Sequence, residues 1–326
     1  MVEAVSIDPL ADHWSRESFR GEGEGFETVR AFIEEDLGQA HVEFWMCRRC
    51  GLEHARPMSS WSSGHYPHEE HGLGFDHAAA ADILGRMPRS KVLDIGCADG
   101  LFLERGAALG HEMTGIDFAA EDVEAARRRG LDARLADVGE IGRLFDGPQG
   151  FDVVTLFQVI EHLREPDRVF EQIAAVARAG ALLIVGCPSD VRYTRAFNHP
   201  QRVERSDFWD YPPQHTLRWT PKALEIFLAR HGWRVESVIY EPFSVTGAAA
   251  HLATLHGLAS AWYEKRWRRR LVTLGWWLRA GGAKYTRKIT GIRLLVTARR
   301  VTPPGGRAHG AAPADAGRTG ARGSIR

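Results

Sequence analysis

Residues 92–100, which read VLDIGCADG, decide the fold of this chain. An apolar strand runs directly into a turn of small residues, and the helical pattern of Leu101–Leu109 follows the turn at once. Gly96, Ala98 and Gly100 would let the backbone approach a ligand closely, because they carry little or no side chain. The stretch therefore predicts a strand, a ligand-binding turn and a helix in direct succession.

This pattern of a strand followed by a helix repeats from Lys91 to about Pro188. The predicted strands are Val92–Ile95, Met113–Ile116, Phe151–Phe157 and Ala181–Val185, and the predicted helices are Leu101–Leu109, Asp122–Arg129 and Asp167–Ala179, with helix C-caps expected at Gly110, Gly130 and Gly180. Such alternation predicts a doubly wound, Rossmann-like α/β fold whose ligand binds at the carboxyl ends of the strands.

Weaker patterns outside this core complete the predicted organisation. Helices are expected at Glu27–Leu37, at His77–Met87 and from Thr220-Pro221 to His231-Gly232, and strands at Trp233–Tyr240 and Arg293–Ala298. We expect an N-terminal accessory segment at 1–90, a catalytic domain at 91–300 with a basic aromatic insertion at 246–290, and a disordered tail at 301–326.

Composition excludes several classes of protein. The chain has 326 residues, 44% of them hydrophobic, so it can bury a large core and is not disordered throughout. Lysine plus arginine and aspartate plus glutamate number 42 each, so overall charge does not drive binding to nucleic acid or membrane. Four cysteines are too few for a disulfide scaffold, and the acidic N-terminus lacks the pattern of a signal peptide. These features predict a soluble, cytoplasmic protein.

Acidic residues lie at the ends of three successive strands. Asp94 lies in the first strand, Asp117 ends the second, and Asp137 follows Arg134–Ala136. A carboxylate at the end of the second strand is typical of sites that bind the hydroxyls of an adenosine ribose. The turn departs from the G-x-G-x-x-G pattern of dinucleotide sites, which disfavours a nicotinamide enzyme but leaves it as an alternative.

The motifs VLDIGCADG, GID, LAD and FDVVTLFQVIEHLREPDRVF resemble those of the class I S-adenosylmethionine-dependent methyltransferases. The resemblance covers Lys91 to Pro188 well and extends more loosely to Ala298. It implies a mostly parallel seven-stranded sheet and S-adenosyl-L-methionine as cofactor. The segment IEHL at residues 160–163, followed by Pro166-Asp167, is similar to that of the ubiquinone-biosynthesis O-methyltransferase subgroup.

The resemblance also assigns roles to residues. The glycine turn would hold the methionine end of the cofactor, Asp117 the ribose and Asp137 the adenine, while Phe118 would stack on the base and Gln158 would border the cofactor from the other side. The implied cofactor-binding residues are Asp94, Gly96, Cys97, Ala98, Gly100, Asp117, Phe118, Asp137 and Gln158.

Two histidines are candidates for catalysis. If the acceptor is a hydroxyl, its proton must leave, and a histidine is a suitable base. His162 follows the strand Phe151–Phe157, and His215 follows a proline pair that stiffens its loop. A structural role remains the alternative for each: a helix-start residue bonded to backbone for His162, and a loop-organising residue for His215.

A single CxxC motif, Cys47 to Cys50, resembles the second half of a zinc ribbon found before some methyltransferase domains. No cysteine precedes it, so a tetrahedral site would need histidines such as His41, His54, His65, His68 or His71. We therefore expect no bound metal.

The stretch from Trp262 to Arg300 carries twelve basic residues and one acid, interleaved with tryptophan and tyrosine. This composition suits a peripheral contact with an anionic membrane and, with less support, RNA. A helical insertion with a solvated basic face is the alternative.

Together these features favour O-methylation of a small molecule, a sugar or a lipid-linked intermediate. The alternatives are an RNA or protein methyltransferase and a non-catalytic module that only binds S-adenosylmethionine.

Overall fold

The computed structural model describes residues 3–6, 30–31, 34–35, 41–58, 72–145, 150–193, 210–212, 214–245, 248, 274–275, 278 and 289–301. The strands are β1 Glu3–Ser6, β2 His41–Met46, β3 Glu53–Arg56, β4 Lys91–Ile95, β5 Glu112–Asp117, β6 Ala133–Leu135, β7 Phe151–Phe157, β8 Ala177–Pro188, β9 Leu217–Arg218, β10 Trp233–Tyr240 and β11 Arg293–Arg300. The α-helices in these ranges are α1 Phe75–Leu84, α2 Leu101–Ala108, α3 Ala120–Arg128, α4 Ile141–Leu144, α5 Pro166–Val176 and α6 Pro221–Arg230, and a 3-10 turn spans Val138–Glu140.

The main sheet has seven strands in the order β10-β11-β8-β7-β4-β5-β6. Strands β4 to β8 run parallel, while β11 pairs antiparallel with both β8 and β10. The strand order reverses at β4, which has β5 on one side and β7 on the other. This is the expected doubly wound, Rossmann-like sheet, and its ligand crevice lies at the carboxyl end of β4.

Both faces of the sheet are buried, because alternate residues of each strand point to opposite sides. Leu93 of β4 packs in the core that contains α5 and α6, with Phe170 and Phe227. Its neighbour Val92 packs on the other face with α1 and α2, where Leu84 and Phe102 are buried. Strand β4 is therefore buried between the two cores.

A second sheet joins the N-terminal segment to the rest of the chain. Its order is β1-β2-β3-β9, and β9 comes from the loop before α6. Arg218 of β9 binds Glu53 at 3.2 Å and lies over the Phe44 ring, with its Cζ atom 3.6 Å from the ring centroid. Helix α1, which the sequence placed in the accessory segment, packs on the main sheet. The division at residue 90 stays a prediction.

Two helix ends were predicted wrongly. The helix expected at His77–Met87 is α1, which ends at Leu84. The helix expected at Asp167–Ala179 ends at Val176, and β8 begins at Ala177. The pairing of β7 with β8 moves from Phe151–Ala177 to Val153–Leu182, so β8 carries extra residues at this point. Gly180, with φ of +77°, lies in this irregular part of β8 and is not a helix C-cap. The expected C-caps at Gly110 and Gly130 do follow α2 and α3.

Several predicted segments fall largely outside the described residues. Of the helix at Glu27–Leu37, residues 30–31 and 34–35 are described and are helical. Most of the insertion at 246–290 and all of the tail beyond Val301 lie outside the description. No helix among the described residues is both long and apolar enough to cross a membrane.

Candidate active site

A cleft of about 1030 Å³ opens at the carboxyl ends of β4, β5, β6 and β7. This volume is large enough for a nucleoside cofactor together with a small acceptor. The sequence-predicted residues that line it are Asp94, Gly96, Cys97, Ala98, Asp117, Phe118, Asp137, Gln158 and His162. Gly100 and His215 do not line it in the described part of the chain.

The glycine turn lies against the end of β7. A Cβ atom added to Gly96 would lie 2.5 Å from Cγ2 of Val159, so the turn leaves no space for a side chain there. Ala98 and Gln158 have φ values of +47° and +55°, and they are the non-glycine residues with positive φ in the described ranges. Both line the cleft, and such strain is commonly found at binding sites.

Gly100 has a packing role instead. It precedes α2 with φ of +84°, and a Cβ atom there would lie 2.6 Å from Leu131 and 3.0 Å from Ala126. It brings α2 close to α3.

The three acids differ in their surroundings. Asp94 is buried and accepts a hydrogen bond from Oγ1 of Thr155 at 2.6 Å, and burial raises its pKa to about 7. The Asp117 carboxylate accepts from the backbone N–H groups of Ala98 at 2.8 Å and Ala119 at 2.9 Å, so it ties the turn to β5. Asp137 is exposed and accepts from the N–H of Gly139 at 2.7 Å.

The two candidate histidines are adjacent but not equivalent. Their ring centroids are 4.8 Å apart, and His162 alone of the two lines the cleft. Nδ1 of His162 contacts the carbonyl oxygen of Gln214, to which it can donate its hydrogen, and the ring also bonds the backbone of Gln158. Burial and the neighbouring His215 lower the pKa of His162 to about 3, so the ring is neutral at physiological pH.

Glu161 lies beside this pair and was not predicted. Its side chain is completely buried, and neither carboxylate oxygen has a hydrogen-bond partner among the described residues. Burial raises its pKa to about 8, so it is largely protonated at neutral pH. The potential ligand atoms of Glu161, His162 and His215 lie within 4.8 Å of one another, so these three could hold a divalent cation. The expectation of no metal stays a prediction.

Asp210 anchors the loop that carries His215. Its carboxylate binds Arg192 at 2.5 Å and Arg218 at 2.9 Å, and it lies 3.5 Å from Nδ1 of His215. Burial opposes its charge, but the two arginines hold the pKa of Asp210 well below its usual value. The loop that carries His215 is therefore anchored by a buried ion pair.

Sequence reasoning also missed Asp76, His77 and Arg293. Asp76 is buried at the start of α1, where its carboxylate accepts from the Gln158 amide, while His77 and Arg293 line the cleft. An acid in an alanine-rich helix was the available signal for Asp76. Its partners lie far away in the sequence, so no local pattern could identify them.

Cys47 and Cys50 lie in the turn between β2 and β3. Cys47 is exposed, and hydrogen bonds with the backbone of Cys50 and Arg49 lower the pKa of its thiol. Within the described ranges, neither cysteine belongs to a group of three metal-ligating side chains. Of the histidines proposed as partners, His65, His68 and His71 lie outside those ranges.

The sequence matches a family of known proteins. The family described as "Methyltransferase domain" matches residues 74–238, which is 165 of the 326 residues. The chain belongs to this methyltransferase family. Its cofactor is S-adenosylmethionine, so the family and the cofactor expected from the sequence are confirmed.

Curated relatives of this methyltransferase share its central part. A ubiquinone biosynthesis O-methyltransferase of Bordetella parapertussis is 34% identical over 114 residues, which are 33% of this chain and 45% of the relative. A protein of the same name from Xanthomonas campestris is 32% identical over 124 residues, which are 36% and 50% of the two chains. The chain thus spans about half the length of the curated relatives it matches.

Solved structures are also similar. The crystal structure of a SAM-dependent methyltransferase from Archaeoglobus fulgidus aligns with 68% of this chain and 94% of its own chain. The sequence identity is 18% and the TM-score is 0.45.

Proposed function

We propose that this methyltransferase transfers the methyl group of S-adenosylmethionine to a hydroxyl group of a small-molecule acceptor. The observation that carries the proposal is the position of His162, whose neutral ring lines the same cleft as the glycine turn. The names of the curated relatives, which are O-methyltransferases, support the hydroxyl as acceptor.

The cofactor would lie along the carboxyl ends of β4, β5 and β6. We assign the methionine end to the turn at Gly96 and Ala98, the ribose hydroxyls to Asp117 and the adenine to Asp137 and Phe118. Asp94, Cys97 and Gln158 would border the cofactor, whereas Gly100 would act through the packing of α2. Each oxygen of Asp117 accepts a backbone hydrogen bond that fixes the carboxylate at the end of β5, and a carboxylate oxygen can accept more than one hydrogen bond.

S-adenosylmethionine supplies an electrophilic methyl group when bound. The chain's own contribution is then to align the acceptor and to take up the proton of its hydroxyl group. The neutral ring of His162 would accept that proton even though its pKa is low, because a hydroxyl oxygen becomes strongly acidic as it gains a methyl group. His215 and Asp210 hold the loop behind it, and neutral Glu161 adds no negative charge beside the pair.

The finer identity of the acceptor is also a proposal. As the sequence suggests, the acceptor would be a sugar or a lipid-linked intermediate. The protein would be cytoplasmic and would contact an anionic membrane through residues 262–300. Most of that stretch lies outside the described residues, but three of its arginines serve the fold. Arg293 lies 3.7 Å from Asp76, Arg299 binds Glu236 at 3.1 Å, and Arg300 stacks on Trp233.

Methyl transfer to matched acceptors tests the proposal. The full chain would be incubated with S-adenosylmethionine and a panel of catechols, sugars and lipid-linked phenols, each paired with its methyl ether and its amine analogue. We expect S-adenosylhomocysteine to form only with a free hydroxyl. Methylation of the amines, of RNA or of protein instead would contradict the proposal, and so would binding of the cofactor with no methyl transfer to any acceptor.

A further inference from the structure

A buried carboxylate joins the N-terminal helix to the catalytic cleft. Asp76, the second residue of α1, is fully buried, and its Oδ2 accepts a hydrogen bond from Nε2 of Gln158 at 2.9 Å. Its Oδ1 accepts from the N–H of His77 at 3.1 Å and lies 3.7 Å from Nη1 of Arg293. Residues from three distant parts of the chain therefore meet at this one group.

Two glycines make room for this arrangement. A Cβ atom at Gly186 of β8 would lie 2.9 Å from Cβ of Asp76 and 3.0 Å from its Oδ2. A Cβ atom at Gly74 would lie 1.6 Å from Nη1 of Arg293. The acid and its arginine thus lie where the chain carries no side chain to obstruct them.

Asp76 is charged despite its burial. Burial alone would raise the pKa of its carboxyl group, but the His77 side chain, whose Nδ1 lies 3.2 Å from Oδ1, and the positive charge of Arg293 bring that pKa below its usual value. An ionised carboxylate can only accept hydrogen bonds, so it can bind the NH₂ end of an amide but not the oxygen end. Asp76 therefore determines which way the Gln158 amide points.

Gln158 is held beside the glycine turn. Ile95 of β4 pairs with Leu156 of β7, so Gln158 lies two residues beyond the pair, level with Cys97. Its backbone N–H is bound to Gly186 at 2.9 Å, and its φ of +55° aims the side chain differently from a regular strand. Because Nε2 is used by Asp76, Oε1 is the end left for the cleft, and it has no partner in the described part of the chain.

We propose that Asp76 is a positioning residue, which turns the Gln158 amide so that Oε1 faces the cleft and accepts a hydrogen bond from the α-ammonium group of S-adenosylmethionine. This inference rests on the proposed position of the methionine end at the glycine turn. An ammonium group has three donors and no acceptor, so it needs oxygen atoms of this kind around it.

The Asp76→Asn variant tests the orientation directly. Asparagine has nearly the same shape but can donate to Oε1, so the Gln158 amide is free to turn its NH₂ end toward the cleft. Calorimetry would use the full chain with two ligands: S-adenosylhomocysteine, and its analogue that lacks the α-amino group but keeps the carboxylate. We expect Asp76→Asn and Gln158→Met each to weaken binding of S-adenosylhomocysteine by about tenfold or more, since a hydrogen bond to a charged group is lost. Binding of the deaminated analogue should change by less than about threefold.

A double variant and a matched control variant complete the experiment. The double variant should bind S-adenosylhomocysteine about as well as Gln158→Met alone, because both changes remove one interaction. Asp132→Asn also removes a carboxylate, one that accepts from Thr114 at 3.0 Å and precedes β6 at the opposite edge of the sheet, and it should leave both affinities unchanged. Asp76→Ser, whose hydroxyl also leaves the amide free to turn, replaces Asp76→Asn if the latter does not fold.

Unchanged binding in the Asp76 variants, or equal weakening for both ligands, would overturn the role of Asp76, because the second result shows general damage to the site. Wild-type protein that binds no S-adenosylhomocysteine would overturn the proposed function and this inference with it.

Discussion

The two ends of the cleft are built in different ways. The proposed cofactor end comes from residues 94–98, 117–118 and 137, which line the cleft at successive strand ends within a short part of the chain. The proposed acceptor end combines the end of β7 with the loop before α6, so that His162 and the adjacent His215 come from distant segments. The first end is encoded locally and the second by tertiary structure.

The ends also differ in charge. Asp117 and Asp137 accept hydrogen bonds from backbone N–H groups. Their carboxylates are of the kind that also bind hydroxyl and amino groups. At the acceptor end, burial lowers the pKa of His162 to about 3 and raises that of Glu161 to about 8, so both side chains are neutral near pH 7. The difference supports the proposal that one end binds polar groups of the cofactor while the other takes up a proton.

The largest effect is expected from the His162→Ala variant. Loss of the base should lower turnover by about 10²-fold while leaving the affinity for S-adenosylhomocysteine near the wild-type value. Steady-state kinetics and calorimetry on the same preparation would show this separation. His41→Ala, an exposed histidine of β2, is the control.

The His215→Ala variant decides between the two histidines. Because His215 does not line the cleft, we expect a smaller loss of turnover than for His162→Ala. Full turnover in both variants would contradict the base hypothesis, leaving alignment alone as the catalytic contribution.

The Glu161→Gln variant should change how stability depends on pH. The folded chain binds the Glu161 proton more tightly than the unfolded chain does, because burial raises the pKa from 4.5 to about 8. This tighter proton binding contributes to the free energy of unfolding. The contribution is fully present below pH 4.5 and is lost as the pH rises through 8. Between pH 6 and pH 9 the wild type should lose about 2 to 3 kcal/mol more of its free energy of unfolding than Glu161→Gln.

Urea unfolding at the two pH values measures the difference, with Glu171→Gln on the exposed side of α5 as the control. Equal losses in the wild type and Glu161→Gln would show that Glu161 is ionised in the folded chain at neutral pH.

At the cofactor end, Asp137→Ala should have the smallest effect. Asp137 is exposed, so its proposed bond to the adenine would compete with water and contribute about 0.5 to 1.5 kcal/mol. S-adenosylhomocysteine should bind about two- to tenfold more weakly in a calorimetric titration. A loss as large as that of Asp117→Ala would instead place Asp137 in a closed adenine pocket.

The same comparison explains what the sequence could reveal. Periodicity and the glycine turn predicted the parallel core. The resemblance to the methyltransferase family named nine cofactor candidates, and eight of them line one cleft because they follow the ends of neighbouring strands. Gly100 was assigned to the cofactor by its motif, yet the space around it is filled by Leu131 and Ala126.

Sequence reasoning was weaker where distant segments meet. Gly180 was expected to cap a helix, but it lies in the irregular part of β8, where the pairing with β7 changes register. This change depends on the neighbouring strand, so the sequence around Gly180 does not reveal it. Asp76 and Glu161 were missed for the same reason, since their partners lie on other elements. His162 was identified only because a motif marks it.

The measurement that tests the central claim most directly is a calorimetric titration of the wild type and Asp117→Ala with S-adenosylhomocysteine and, separately, with NAD. The account predicts saturable binding of S-adenosylhomocysteine to the wild type, binding weaker by about 1.5 to 3 kcal/mol in Asp117→Ala, and no binding of NAD. Saturable binding of NAD with no heat from S-adenosylhomocysteine would contradict it.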